Sequence, residues 1–148
     1  MKADPPPRGA SFHDTMTEVL ARAHVDKSST IRVMGSGGLA PLLWLCRHGY
    51  EQVGFVRPGP CPADSCDLLI ILDAAGVDGL ARCLEDGPHL RDGGVLVVQM
   101  SPANPGGGDP VRRLLAREGY GVEPHIHGQR RDLYLARRHA ADRFRKAA

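Results

Sequence analysis

The chain has 148 residues, 42% of them hydrophobic and 24% charged, with a formal net charge of +2. That length suits a single domain with a sizeable core, and so small a net charge does not indicate a nucleic-acid partner. No run approaches the roughly 20 apolar residues needed to cross a bilayer, and MKADPPPRGA lacks the apolar stretch of a secretory signal, so a cytoplasmic protein is the expectation.

Residues 1–10, with their proline triplet, read as a flexible lead-in. In SFHDTMTEVLARAHV, residues Phe12, Met16, Val19, Leu20 and Ala23 recur at helical spacing. Ile31 to Met34 is a short strand that runs into Gly35. A helix from about Leu39 to His48 is apolar nearly all round, which places Leu43, Trp44 and Leu45 in the core, and Gly49 ends it. EQVGFV, residues 51–56, is a second strand, and RPGPCPADSC is a proline-rich loop. DLLIILDAAG carries the strongest strand pattern in the chain. Its unbroken apolar run is that of a central parallel strand covered on both faces.

A helix from about Val77 to Leu84 follows, and GGVLVVQM is another buried strand. SPANPGGGDP is a loop, after which Asp109 as N-cap and Pro110 at the first helical position open the helix VRRLLAREG. YGVEPHIH and RRDLYLARR are two closing strands. They lie too close together for a crossover helix and so form an antiparallel hairpin. Helices alternating with strands indicate a three-layer α/β sandwich of Rossmann-like type, mainly parallel, ending in that hairpin. The folded domain spans residues 11–139, and residues 140–148 form a basic tail, read as a solvated end.

Cys46 and Cys83 fall within apolar helical runs and are expected to be buried thiols. Cys61 and Cys66, in CPADSC, are either a loop disulfide or half of a metal site. No second Cys or His pair stands at zinc-like spacing, so no metal is expected.

The order of a glycine turn, an apolar central strand, HLRDGGVLVVQM, and then RRLLAREGYGVEPHIHGQRRDLYLARR resembles class I S-adenosylmethionine-dependent methyltransferases over roughly residues 12–138. The resemblance implies an acidic-x-G-x-G-x-G signature at the first strand. Gly35 and Gly37 take its first two glycine places, and Leu39 falls on the third unless the turn is shortened and Gly38 serves. The acidic place falls on Val33. A second acid that would hold the ribose hydroxyls falls on Arg57 or a neighbour, and Arg has no acceptor to offer. Nine residues, Pro58 to Cys66, separate Arg57 from Asp67, so the family's third strand–helix unit is missing or reduced to a loop. Asp64 is then the candidate for the adenine contact. The implied cofactor is S-adenosylmethionine, with Gly35, Ser36, Gly37, Gly38, Arg57, Asp64 and Asp73 as the binding set, in a pocket that is atypical or non-functional.

The same glycines also fit G-x-G-x-x-A, the dinucleotide fingerprint, with Arg57 suited to the 2′-phosphate of NADP. Asp73, at the end of the central strand, either meets a ligand or caps the turn that follows. Ser101 to Pro105 is either an acceptor-side lid or a plain connection. His125 and His127, two apart on one strand, share a face, as an exposed pair or with one as a general base. No catalytic residue is assigned, and enzyme activity is left open, because a sulfonium donor needs alignment more than a dedicated catalyst. A third alternative is a non-catalytic association domain, dimeric through the surface bared by the missing unit.

Overall fold

A computed structural model describes residues 12–35, 37–56, 65–73, 76–100, 108–127 and 132–139. Among these residues four helices and six strands follow one another: α1 (Phe12–Ala23), β1 (Thr30–Gly35), α2 (Leu39–Arg47), β2 (Gln52–Phe55), β3 (Ser65–Leu72), α3 (Gly76–Asp86), β4 (His89–Met100), α4 (Gly108–Arg117), β5 (Tyr120–His127) and β6 (Asp132–Arg138). They build one sheet in the order β2-β1-β3-β4-β6-β5.

The strands β2, β1, β3 and β4 are parallel neighbours. β6 runs against both β4 and β5. The closing hairpin is therefore antiparallel as the sequence predicts, with one refinement. Its last strand is inserted between β4 and β5, so β5 runs with the rest of the sheet and forms its edge. β6 alone is reversed, its central residues Tyr134, Leu135 and Ala136 all buried.

Two apolar layers sandwich the sheet. On one face, Met16, Val19, Leu20 and Ala23 of α1 and Leu45 of α2 pack with Ile31, Val33, Leu68, Ile70, Leu72, Val95 and Val97. On the other, Leu80 of α3 and Val111, Leu114 and Leu115 of α4 pack with Met34, Leu69, Ile71, Leu96 and Val98. The alternation of β3 between the two layers is the reason LLIIL, residues 68–72, is apolar throughout. Each face of that strand meets helices, so neither calls for polar residues.

Local chemistry sets the ends of the elements. Gly49 has φ +86. Tyr50 N–H reaches back to Leu45 O at 3.1 Å and Gly49 N–H to Cys46 O at 3.2 Å, the paired bonds of a Schellman motif closing α2. The strand β4 begins at His89, earlier than its apolar run suggests. Cys66 pairs with Leu90 and Leu68 with Val95, so Arg91 to Gly94 bulge out of the ladder, with Gly93 at φ +79. The helix α4 begins at Gly108, one residue before the expected cap Asp109.

Two expectations about α2, a core Leu43 and a buried Cys46, are corrected. Leu43 is 44% exposed and Leu39 63% exposed, and Cys46 is an exposed thiol. Trp44 is partly buried against the core and stacks on His48 with ring centroids 3.8 Å apart. The helix buries Pro41 and Leu45 and leaves a second apolar stripe bare. No strand lies outside β2 among the described residues, so a neighbour that would cover this stripe is absent there. Cys66 is buried and Cys83 is partly buried.

Candidate functional site

The chain leaves β1, crosses by α2 to β2 on one side, and returns on the other side of β1 as β3. The strand order thus reverses between β1 and β3, and the crevice at their carboxyl ends is where open α/β sheets bind ligands. Gly35 and Leu72 are paired across that crevice. Gly35 has φ +96, and a Cβ there would lie 1.9 Å from the carbonyl oxygen of Leu72. Only a residue without a side chain lets the first turn pass so near the neighbouring strand.

Gly37 has φ +80, and a Cβ on it would stand 3.2 Å from Oδ2 of Asp73. Gly38 is the N-cap of α2 in ordinary helical conformation, with no side-chain cap and no acidic residue in the first turn. A Cβ on Gly38 would come within 2.7 Å of Phe55 Cε1, 3.0 Å of Val33 Cγ1 and 3.2 Å of Gly35 O. The turn is therefore short, and Gly38, not Leu39, is the third close-packed glycine. Ala40, the small residue of the G-x-G-x-x-A reading, is exposed. The helix–strand contact that such a residue serves falls on Gly38 instead.

Asp73 follows β3 directly. Its N–H donates to Gln99 O at 3.0 Å, which joins the rims of β3 and β4, and its φ of +53 is left-handed. A non-glycine residue in that region carries local strain, and such residues gather at ligand clamps and active sites. Here the conformation sends the carboxylate to the glycine turn.

Of the binding set expected from sequence, Gly35, Gly37, Gly38 and Asp73 thus converge on one rim. Ser36, Arg57 and Asp64 lie outside the described residues, as do Cys61 and Ser101 to Pro105, and the side chains of His125 and His127. The acidic place in the first strand is a fully buried Val33. The end of β2 is Phe55, 45% exposed, followed by Val56, whose N–H donates to Val33 O at 2.8 Å. No carboxylate stands at the end of β2 among the described residues. Phe55 is the site neighbour that sequence reasoning missed. Its signal is a ring at the end of a strand opposite a glycine, which becomes visible only once the register Val33–Phe55 is known.

No family model matches the chain, and no curated protein does. Solved structures do match. A ribosomal protein L11 methylase from Lactobacillus delbrueckii subsp. bulgaricus superposes with a TM-score of 0.63 at 14% identity, over 86% of this chain and 80% of the other. The chain has the class I methyltransferase fold. A methyltransferase from Pyrococcus furiosus gives a TM-score of 0.58 at 14% identity over 93% and 88% of the two chains. Magnesium protoporphyrin IX methyltransferase from Synechocystis PCC 6803, solved with bound S-adenosylmethionine, gives 0.54 at 12% identity over 84% and 78%. No helix among the described residues is long and apolar enough to cross a membrane.

The glycine turn suits the methionine end of S-adenosylmethionine. Gly35 and Gly38 let the turn pack closely on β3 and on Phe55 and Val33, and Gly37 lies beside a carboxylate able to meet an ammonium group. The end of β2 suits the ribose less well, since Phe55 and Val56 offer no side-chain acceptor for its hydroxyls.

Proposed function

We propose that this is an S-adenosylmethionine-binding protein of the methyltransferase fold whose pocket is built on the methionine side and, among the described residues, offers the ribose no side-chain acceptor at the end of β2. The observation that carries this reading is the carboxylate of Asp73 beside Gly37, at the reversal of strand order. The methionine moiety of the cofactor carries an ammonium and a sulfonium beside its carboxylate, and an anion fixed at the turn attracts the ammonium. Gly35, Gly37 and Gly38 supply close backbone approach, and Phe55 supplies an apolar wall beside them. When bound, the cofactor supplies a methyl group already activated by its sulfonium, so the protein's share is to align an acceptor and exclude water.

The NADP reading is weaker on the same geometry. A pyrophosphate at the start of α2 would meet the Asp73 carboxylate, and like charges at such a distance repel. Ala40 also does not fill the packing role of the dinucleotide fingerprint.

Thermal shift of the full chain with S-adenosylmethionine, S-adenosylhomocysteine, NADP and NAD in parallel tests the proposal. Ligand that binds only the folded state raises the melting temperature. We expect a rise of several degrees with the first two and none with the dinucleotides. Asp73→Asn keeps a residue that tolerates the left-handed backbone while removing the charge, and it should lose most of that rise. A rise with NADP alone, or none with any ligand, defeats the reading.

A further inference from the structure

The two edges of the sheet are finished differently. The outer edge of β5 is blunted. Its sequence YGVEPHIH contains Pro124, which cannot donate to a ladder, and its register shifts between Glu123 and Ile126. Prolines and bulges of this kind keep an edge from adding a further strand. The edge strand β2, QVGF, has neither, and it carries no charged residue.

Backbone parity decides what β2 offers. Val56 N–H donates to Val33 O, so Gln52, Gly54 and Val56 turn their backbone groups toward β1. Val53 and Phe55 turn theirs outward. The side chains of these two residues rise on the α2 face, with Val53 packed against the core there and Phe55 against Gly38. The large apolar side chains left exposed among the described residues are Leu39, Leu43 and Phe55. Leu39 and Leu43 are one turn apart on α2, which begins over Phe55.

We infer that the chain forms a two-fold dimer by antiparallel pairing of β2 with β2 of a second copy, Gly54 lying on the axis. In this register Val53 faces Phe55 of the partner subunit, and Phe55 faces the partner subunit's Val53. Both are outward-turned residues, so each pair exchanges two backbone hydrogen bonds. Each also sets an aromatic ring against a β-branched side chain on the same face, a favourable cross-strand combination. The strand is thus complementary to itself. The Leu39 and Leu43 stripes of the two helices are brought toward the seam. A second copy is favoured over endless head-to-tail growth because the other edge, β5, is closed by Pro124 and its irregular register, and an isologous contact closes on itself.

Sedimentation of the full chain over a wide range of concentration is the test. The expected mass at high concentration is twice the 16.0 kDa of the single chain, falling to the single-chain mass on dilution. Leu43→Glu and Phe55→Lys place charge on exposed positions, so circular dichroism should stay unchanged while the dissociation constant rises about tenfold or more, as for a central interface residue. Hydrogen exchange on the unaltered chain provides a check that needs no variant: the Val53 and Phe55 amides should be protected at high concentration and exchange freely when dilute. A single-chain mass at every concentration overturns the inference. So does a dimer that survives both substitutions, or one in which those two amides exchange freely.

Discussion

Gly35, Gly37 and Gly38 stand within four residues, yet the demands on them differ. At Gly35 the obstruction is a backbone carbonyl and the φ is positive, so neither atom nor torsion can give way. Gly35→Ala is expected to destabilise by about 3 kcal/mol or more, seen as a lowered urea midpoint. At Gly38 the obstruction includes the far end of the Phe55 ring and the φ is −71, so Gly38→Ala should cost much less as the ring swings outward. The glycines themselves were legible in the sequence, because a glycine cluster after a β-branched strand implies a tight turn. Their ranking was not, since it depends on which atoms lie opposite. Leu43 shows the reverse failure. Its apolar character suits a covered helix, but no element among the described residues covers it, which no local pattern records.

The elements were legible in number, type and order, because β3 and β4 carry unbroken apolar runs and helices such as α4 place Val111, Leu114 and Leu115 at i, i+3, i+4. The start of β4 was not, because HLRD is polar and enters the ladder through a bulge. One carboxylate organises that region. Asp67 near the start of β3 accepts from Thr30 N–H at 2.8 Å and pairs with Arg91 at 2.6 Å, tying the beginnings of β1 and β4 to the strand between them. Removing the acceptor orphans a half-buried backbone donor, so Asp67→Ala should cost roughly 1–3 kcal/mol in urea unfolding. The guanidinium of Arg91 is half exposed, and Arg91→Ala should cost less than about 1 kcal/mol. Equal losses from both changes would mean that the ion pair, and not the bond to Thr30, fastens the strands.

At the scale of the whole molecule, strand order was the part the sequence left open. A hairpin is implied by the short link between β5 and β6, but not which of the two lies inward. The burial of Tyr134, Leu135 and Ala136 gives the reason: β6 has apolar residues for both layers, and β5 carries Pro124, which an edge tolerates and a central strand does not. β5 touches the sheet only through β6. A chain cut after residue 127 should therefore lose β5 as well, leave the flank of β4 from Val95 to Met100 bare, and show a broadened, non-cooperative melting curve in calorimetry.

The insertion of β6 also sets a timetable for biogenesis. A nascent polypeptide on the ribosome can assemble β1 to β4 early, but it cannot close the sheet until residues 132–138 have left the exit tunnel. Until then it displays an unpaired, strongly apolar strand to the cell, the kind of surface that chaperones capture and that aggregates when they do not.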